Sequence, residues 1–308
     1  MQDRGKVKGS VEWAGIRGSI LKDVSMKRYT SMRVGGPVSY LIYPCDEEDL
    51  VTILQVAWEE GVKYRFLGNG TNIIVHDRGL REVVIRTTRM QRVAYKKKNN
   101  GAIAQVSGGA SLKGFIVNSA RHGLSGLERL YWIPGTIGGG IKMNAGSFGS
   151  RISDLLESVR IVDKKGKIVS YLKSEMRFGY RESRIGPSEC VLAAWFCLQN
   201  RDKNEIWKDM EYVYGERKKR HPMDFPSAGS VFKSVEGKPA WKFIEKAGLK
   251  GTSVGGAMVS NKHANFIVNA GGATAQDVKL LIDKIKQEVF EQSGITLEEE
   301  VEFWGFNG

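Results

Sequence analysis

Apolar residues recur at intervals of three and four along several segments, the spacing that places them on one face of a helix. The clearest segment follows Thr274, a residue suited to capping a helix, and would end at Gly294. Its apolar face would hold Val278, Leu281, Ile282, Ile285, Val289 and Phe290. The same spacing predicts helices over residues 47–60, 110–121, 201–220 and 240–247, and a short helix through Ile16, Ile20, Leu21 and Val24.

Short runs of β-branched and aromatic residues between these helices predict strands. They lie at residues 38–43, 63–67, 73–75, 83–86, 93–95, 103–106, 159–162, 168–171, 190–198 and 265–268, with 295–304 extended. Up to residue 86 the order is β-α-β-like, whereas the middle of the chain is richer in strands. We find no internal repeat and no low-complexity linker in the sequence.

Length and composition are those of a folded protein with several domains. At 308 residues the chain suits two or three domains, and its 41% hydrophobic and 26% charged content is typical of globular proteins. Glycine is abundant, with 37 residues against 7 prolines. Because glycine lets the backbone approach a ligand closely, this excess indicates phosphate- or cofactor-binding turns rather than disorder.

The net charge of +13 allows nucleic acid, a membrane surface or a polyanionic small molecule as a partner. The basic residues are spread along the chain, which argues against a dedicated nucleic-acid groove. We interpret the two local basic runs, 96–98 and 217–220, as solvated surface.

Cysteine and histidine usage indicates reduced thiols and no metal site. The three cysteines form no CxxC pair, and the four histidines show no HxxxH or HExxH spacing. The longest apolar run, 191–198, is too short to span a bilayer, and residues 1–9 lack the apolar stretch of a secretion signal. We therefore expect a cytoplasmic protein without a membrane segment.

Two glycine-rich passages are candidates for holding a ligand. The first, Gly68-Asn69-Gly70-Thr71-Asn72, lies between predicted strands and offers donors to an anion, although an ordinary β-turn is an alternative. It is neither a P-loop nor the dinucleotide GxGxxG pattern. The second contains Pro134, Gly135, Thr136, Gly138, Gly139, Asn144 and Gly146. It suits a large planar or phosphorylated ligand, or else a plain loop crossing, and together the passages suggest a dinucleotide cofactor outside the Rossmann geometry.

Three polar positions could carry chemistry, each with a plainer alternative. Ser230, within the turn-like stretch 226–234, could donate a proton to an anion, or could belong to a polar turn entering a strand. Arg181 could bind a carboxylate, or form a surface ion pair. In the acidic run 298–300 the middle residue would share the side of Val301, and the outer two would point the other way. A solvated acidic run is the alternative there.

A set of motifs occurs in a characteristic order from residue 30 to residue 301. They are TSMRVGGP (30–37), LGNGTNIIV (67–75), GLSGLERLYWIPGTIGGGIKMNAGSFG (123–149), YRESR (180–184), PSAGSVFK (226–233), IEKAGLKG (244–251), GGAMVSNKHANFIVN (255–269) and LEEEV (297–301). Each motif alone is modest, but the ordered set resembles the UDP-N-acetylenolpyruvoylglucosamine reductase (MurB) family, flavoenzymes of bacterial peptidoglycan synthesis. The resemblance covers the chain from about Ile20 to its end.

The resemblance implies an α+β fold, the FAD-binding fold of the vanillyl-alcohol-oxidase (PCMH) type, with FAD held non-covalently. Two α+β subdomains would hold the flavin, one over residues 20–88 with the C-terminal strand 301–308, the other over 89–223. An α+β domain, 224–300, would bind the substrate, and residues 1–19 would form a loosely ordered extension. The passages 68–72 and 134–146 match the flavin-binding turns of the family.

The motifs also imply three catalytic roles: Ser230 in PSAGSVFK, Arg181 in YRESR and Glu300 in LEEEV. The implied reaction reduces UDP-N-acetylglucosamine enolpyruvate to UDP-N-acetylmuramate. NADPH, as co-substrate, would reduce FAD, and flavin N5 would then pass a hydride to the methylene carbon. Arg181 and Glu300 would stabilise the resulting enolate-like anion, and Ser230 would protonate it.

Several positions depart from the family pattern. Ser234 replaces the usual asparagine, Glu299 the usual proline, and His221 the usual glutamine. The interval between Arg181 and Ser230 is too short for the substrate-capping loop of the longer subtype, which indicates the shorter, second subtype. The substrate would then be bound by Tyr180, Lys233, Ser234 and His263, although a plain buried histidine is an equal alternative for the last.

Two other functions fit parts of the sequence. Another FAD oxidoreductase of the same fold, acting on an alcohol or hydroxy acid, would often tether its flavin through a histidine, and His76 lies near the first glycine passage. A basic nucleic-acid-binding protein would show salt-sensitive DNA binding and no flavin spectrum. We expect instead a cytoplasmic monomer whose partners are a UDP-sugar and NADPH, without nucleic acid, membrane or metal.

Overall fold

The N-terminal part of the chain is a four-stranded sheet covered by one helix. The computed structural model describes residues 11–306. The elements are β1 (Ser19–Ser25), β2 (Pro37–Tyr43), α1 (Glu47–Glu59), β3 (Tyr64–Leu67), β4 (Ile73–Val75) and β5 (Leu80–Arg86). The strand order is β1-β2-β5-β3, with β1 antiparallel to β2 and the other pairs parallel. As predicted, α1 begins after Asp46, whose carboxylate accepts the N–H of Asp49.

The predicted short helix through Ile16, Ile20, Leu21 and Val24 is wrong. Strand β1 occupies this segment and pairs antiparallel with β2, from Ser19 opposite Tyr43 to Ser25 opposite Pro37. Four apolar residues are too few to separate a helical from an alternating pattern, and the hydrogen-bonding edge of β2 decides the outcome. Of the predicted extension 1–19, residues 1–10 lie outside the described residues.

The central part is an antiparallel sheet with helices packed against it. Its elements are β6 (Val93–Lys98), β7 (Gly101–Ser107), α2 (Leu112–Arg121), β8 (Leu124–Ser125), α3 (Ile137–Lys142), β9 (Gly146–Ser147), β10 (Ser150–Arg151), β11 (Leu156–Val162), β12 (Ile168–Leu172), β13 (Cys190–Asn200) and α4 (Lys203–Arg220). The strand order is β12-β11-β13-β7-β6, and β8 pairs with β13. Phe115 of α2 and Phe196 of β13 meet in its core, 5.3 Å between ring centroids.

The glycine-rich passage 134–149, predicted to be a ligand-lining loop, contains the helix α3. Thr136 caps it by accepting the N–H of Gly139 at 3.2 Å. Ile137 and Ile141, one turn apart, are fully buried in the central core. Their burial outweighs the low helix propensity of the intervening glycines.

The C-terminal part is a four-stranded sheet with two helices. Its elements are β14 (Ser227–Ser230), α5 (Ala240–Lys246), β15 (Ser253–Val254), β16 (Ala257–Val259), β17 (Phe266–Asn269), α6 (Ala275–Ser293) and β18 (Glu302–Trp304). The strand order is β14-β17-β16-β15. The apolar face predicted for α6 is confirmed except at its end. Phe290 is 55% exposed, because it lies about 100° around the helix from the buried Val289.

The last strand returns to the N-terminal part. Strand β18 pairs parallel with β4, and Trp304 is buried beside Leu41 and Val75. This return brings the acidic run 298–300 close to the first glycine passage. None of the described helices combines the length and apolar character needed to cross a bilayer.

Candidate active site

A cleft of about 770 Å³ collects residues from all three parts of the chain. A second cavity of about 510 Å³ meets it at Gly68, Thr136 and Gly139. Both volumes are within the range of small-molecule sites, and together they could hold a ligand as long as a dinucleotide. Within residues 11–306, no group of three or more His, Cys, Asp or Glu side chains is placed to hold a metal ion.

The first glycine passage, 68–72, forms one wall of the cleft. Gly70 has a φ of +63°, and a Cβ there would lie 2.0 Å from the carbonyl oxygen of Tyr29, so the turn requires glycine. The Asn72 side chain donates to the Glu300 backbone carbonyl at 3.0 Å, and the Asn72 backbone carbonyl accepts the N–H of Glu302. The passage is thereby joined to the C-terminal segment.

Glycines keep the floor of the cleft open. A Cβ added at Gly135, Gly139 or Gly229 would meet nothing closer than 3.4 Å. Side chains at these positions would therefore extend into free space that a ligand can occupy. This open floor fits a large cofactor such as FAD.

Most of the predicted cofactor-binding residues line the cleft: Gly68, Asn69, Gly70, Thr71, Asn72, Pro134, Gly135, Thr136, Gly139 and Gly146. Gly138 borders the smaller cavity instead. Asn144 is 2% exposed, and its amide donates to the Gly179 carbonyl at 2.8 Å. It therefore supports the neighbouring turn that carries Arg181 rather than facing the cleft.

Arg181 and Glu300 form an ion pair in the cleft. Arg181 has a left-handed backbone with a φ of +58°, an unfavourable conformation for a residue other than glycine. Its Nε lies 2.5 Å from Oε1 of Glu300, and the two side chains are 22% and 12% exposed. Burial raises the pKa of Glu300 despite the opposing charges of Arg181 and Lys233. The carboxyl group therefore takes up a proton more readily than an exposed glutamate does.

Ser230 ends strand β14 and also lines the cleft. The turn predicted in the stretch 226–234 is wrong for residues 227–230, which form a strand with a register shift against β17. The segment is held because Asn265 accepts the N–H of Phe232 and donates to its carbonyl. The Glu300 N–H donates to the Val231 carbonyl at 2.7 Å, which places the carboxylate-bearing segment beside the serine.

None of the four predicted substrate-binding residues lines the cleft, whereas the three predicted catalytic residues do. The Tyr180 and Ser234 hydroxyl groups lie 3.1 Å apart, and Tyr180 is 51% exposed. Lys233 forms an ion pair with Glu298, outside the cleft lining. His263 packs against His221 and Phe266. The rings of His221 and Phe266 border the cleft, and that of His263 does not.

The acidic run alternates as predicted. Glu298 contacts Lys233, Glu299 accepts from Lys286 of α6 at 2.8 Å, and Glu300 faces the cleft. The isolated bridge between Phe232 and Glu299 supplies the extended geometry that alternation requires.

Arg217 and His221 also line the cleft, although neither is among the residues predicted to lie there. The interpretation of the run 217–220 as solvated surface is wrong at Arg217, which is 7% exposed. The signal was present, because Ile206, Met210, Val213 and Arg217 follow the spacing of one helix face. Burial, together with nearby basic groups, lowers the pKa of His221 to about 4.

Histidine tethering of a flavin finds no support at His76. Its Nδ1 accepts the N–H of Arg78 at 3.0 Å, and its ring packs against Phe306 at 4.8 Å between centroids. Neither cavity is lined by this residue.

Comparisons with known proteins agree on one family. Residues 221–304 match the model of the UDP-N-acetylenolpyruvoylglucosamine reductase C-terminal domain, and 38–171 that of an FAD binding domain. The reductase of Carboxydothermus hydrogenoformans is 40% identical over 94% of this chain and 95% of its own. That of Caldanaerobacter subterraneus is 41% identical over 94% of each. The crystal structure of MurB from Thermus caldophilus superposes with a TM-score of 0.78 at 36% identity, covering 94% and 99% of the two chains. These matches confirm the predicted α+β FAD-binding fold.

Proposed function

Because this chain belongs to the UDP-N-acetylenolpyruvoylglucosamine reductase family, we propose that Ser230, Arg181 and Glu300 catalyse the family's reaction in the cleft. The chain is an FAD-dependent oxidoreductase that reduces UDP-N-acetylenolpyruvoylglucosamine, with NADPH as co-substrate, in peptidoglycan synthesis. The observation that carries the proposal is the mostly buried Arg181–Glu300 ion pair in the same cleft as Ser230.

The chain's own residues fit a bound FAD. The passages 68–72 and 134–139 would hold it, since they line the cleft and contribute its open glycine floor. When bound, FAD supplies the hydride that is added to the enolpyruvyl double bond. The tight turn at Gly70 and the capped start of α3 hold both passages in place for this task.

Arg181 and Glu300 bind and polarise the enolpyruvyl group. The guanidinium of Arg181 pairs with a carboxylate and stays charged, so it stabilises negative charge that develops on the substrate. The raised pKa of Glu300 favours a shared or bound proton, which adds a hydrogen bond to the same oxygens. Both side chains are mostly buried, where such interactions are stronger than in water.

Ser230 supplies the proton that completes the reduction. Its Oγ donates to the carbon that carries the negative charge after hydride addition. A hydroxyl is a weak acid, so this role requires a strongly basic carbanion, which this reaction generates. The bracing of the segment by Asn265 keeps the hydroxyl at one position.

The test separates the two half-reactions. Anaerobic Ser230→Ala protein should be reduced by NADPH at a rate close to that of the unsubstituted protein. Its reoxidation by the enolpyruvyl sugar nucleotide should slow by at least about 100-fold, the usual contribution of a positioned proton donor. Stopped-flow absorbance of the flavin measures both rates.

Ser253→Ala, on the edge strand β15 away from the cleft, is the matched control and should leave both rates unchanged. Equal slowing of both half-reactions in Ser230→Ala would contradict the proton-donor role.

We extend the proposal to domain organisation and location. Residues 20–88 with the C-terminal strand, 89–223, and 224–300 are proposed as the three domains, supported by the separate sheets and by the pairing of β18 with β4. A cytoplasmic location is proposed because UDP-sugars and NADPH are both cytoplasmic metabolites, and a monomer is proposed because the cleft is formed from the three parts of a single chain. Analytical ultracentrifugation would check the monomer.

A further inference from the structure

The helix α3 connects the floor of the cleft to the turn that carries Arg181. Gly139 and Lys142 of this helix line the cleft. Ile137 and Ile141 anchor the helix, since both side chains are fully buried in the central core. Because its packing holds α3 in place, any group that is hydrogen-bonded to the helix has a fixed position relative to the floor of the cleft.

Arg181 lies in a tight turn with an unfavourable backbone conformation. The N–H of Gly179 donates to the Glu182 carbonyl at 3.1 Å, which leaves Tyr180 and Arg181 at the tip of the turn. The φ of Arg181 is +58°, in the left-handed region that side chains other than those of asparagine and aspartate rarely adopt. Such a conformation persists only where the surrounding contacts hold it. We therefore looked for contacts on either side of the turn.

Two hydrogen bonds attach this turn to the C-terminal end of α3, one before Arg181 and one after it. Before it, the amide of Asn144 donates to the Gly179 carbonyl at 2.8 Å. After it, the hydroxyl of Ser183 donates to the Lys142 carbonyl, also at 2.8 Å. The last carbonyl groups of a helix have no partner within the helix, so that of Lys142 is available to accept. We call these two hydrogen bonds the α3 clamp.

The two side chains of the α3 clamp are directed at the turn and not at the cleft. Neither Asn144 nor Ser183 belongs to the lining of the cleft. Asn144 is 2% exposed, and within residues 11–306 its Oδ1 has no hydrogen-bond partner. Burying an unpaired oxygen is destabilising, which indicates that the amide is present for the bond that its nitrogen makes. The Ser183 Oγ also accepts the N–H of Ile185 at 3.4 Å, which orients the hydroxyl.

The same end of α3 also contacts the segment that carries Glu300. The Lys142 Nζ lies 2.9 Å from Oε1 of Glu302, two residues beyond Glu300, and both glutamates line the cleft. Both members of the Arg181–Glu300 ion pair are thereby connected to one helix. That helix also supplies Gly139 to the open floor of the cleft.

We propose that Asn144 and Ser183 are positioning residues for Arg181, which fix its guanidinium relative to the glycine floor of the cleft through α3. The inference rests on the proposed function, in which Arg181 stabilises the negative charge that follows hydride addition. This stabilisation requires the guanidinium to be within hydrogen-bond reach of the substrate when the hydride is transferred. A displacement of about 1 Å can slow such a step by about 100-fold.

The first test compares two serines that make the same pair of hydrogen bonds. Ser293, at the end of α6 and away from the cleft, donates to the Val289 carbonyl at 2.6 Å and accepts the N–H of Ile295 at 3.3 Å. Anaerobic, FAD-loaded Ser183→Ala should be reduced by NADPH at the rate of the unsubstituted protein. Its reoxidation by the enolpyruvyl sugar nucleotide should be about tenfold slower. Ser293→Ala should change neither rate, and Ser183→Thr, which keeps the hydroxyl, should restore reoxidation.

A double-mutant cycle decides whether the effect passes through Arg181. In the Arg181→Ala background, Ser183→Ala should slow reoxidation by less than about twofold, because the group that it positions is already absent. Asn144→Gly removes the other bond of the α3 clamp and suits the φ of +41° at that position. It should behave as Ser183→Ala does in both backgrounds. Flavin absorbance, followed by stopped flow or over hours for the slow variants, measures every rate.

Three results would overturn the proposal. A loss of the same size in the Arg181→Ala background would show that the α3 clamp acts on the fold or on another group. Equal slowing of both half-reactions by Ser183→Ala would show a general disturbance of the flavin site. Unchanged reoxidation in both Ser183→Ala and Asn144→Gly would show that α3 does not position the turn. A normal reoxidation rate in Arg181→Ala itself would instead refute the role of Arg181 in the proposed function, and the positioning role would fall with it.

Discussion

At the scale of single residues, burial explains the most informative side chains. His221 is a partly buried imidazole that faces Arg217, Arg220, Lys262 and His263, and these surroundings lower its pKa to about 4. An unfolded histidine has a pKa of about 6.5. Between these values the unfolded chain binds a proton that the folded chain does not, so stability falls as the pH falls.

Replacement of this histidine should flatten the pH dependence. The free energy of unfolding should fall by about 2 kcal/mol more in the unsubstituted protein than in His221→Gln when the pH is lowered from 7 to 4.5. Urea unfolding at several pH values measures the difference. The raised pKa of Glu300 makes the folded protein more stable as the pH falls, but this contribution is the same in both proteins and cancels in the difference between them. Parallel pH profiles for the two proteins would show that His221 titrates normally.

At the scale of elements, the helix α3 forms although its local sequence does not favour a helix. Its glycines oppose a helix, and the deciding contribution is the burial of Ile137 and Ile141 in the central core. In strand β1 the apolar spacing favours a helix, but the segment forms a strand because it pairs with the edge of β2. In both, a partner distant in sequence outweighed local preference.

The cap of α3 offers a test with a matched control. Thr136→Val removes a hydroxyl that accepts the Gly139 N–H, and Thr274→Val removes the equivalent cap of α6, which accepts from Asp277. Each should lower the free energy of unfolding by about 1 kcal/mol. Since Thr136 lines the cleft and Thr274 does not, only the first should also weaken FAD binding, measured by flavin fluorescence quenching. Equal FAD affinity in the two variants would show that Thr136 does not contribute to FAD binding.

At the scale of the whole molecule, a few long-range hydrogen bonds attach the C-terminal sheet to the N-terminal part. The Ser31 hydroxyl donates to the Ser227 carbonyl at 2.6 Å. The carboxylate of Asp77 accepts the N–H groups of Ala275 and Gln276 at the start of α6, at 2.9 and 3.0 Å. Because the same sheet carries Ser230, these contacts set the position of the proton donor relative to the flavin passages.

Loss of the Asp77 contact should therefore affect catalysis at a distance. Asp77→Ala should lower the free energy of unfolding by about 1–2 kcal/mol and also slow reoxidation by the enolpyruvyl sugar nucleotide. Asp163→Ala is the control, since that carboxylate likewise accepts two backbone N–H groups, of Lys165 and Lys167, but within the β11–β12 hairpin. It should cost similar stability with no effect on turnover. Identical kinetics in the two variants would show that docking does not position Ser230.

The sequence alone determined the helices with clear spacing, most of the strands, and the two glycine passages. Caps such as Asp46 and Thr274 depend on neighbouring residues, and so they can be recognised locally. The ordered motifs also identified the family, which the comparisons confirm.

Only the tertiary structure decided which of these residues share a site. Glu300 lies beside Ser230 because the segment after α6 hydrogen-bonds to Val231, and no local pattern encodes that pairing. In the sequence Arg217 belongs to a charged run, yet it is buried in the cleft because it lies on the face of α4 that packs inward. Contacts between residues distant in sequence arise from packing a whole core, whereas local sequence specifies the elements that are packed.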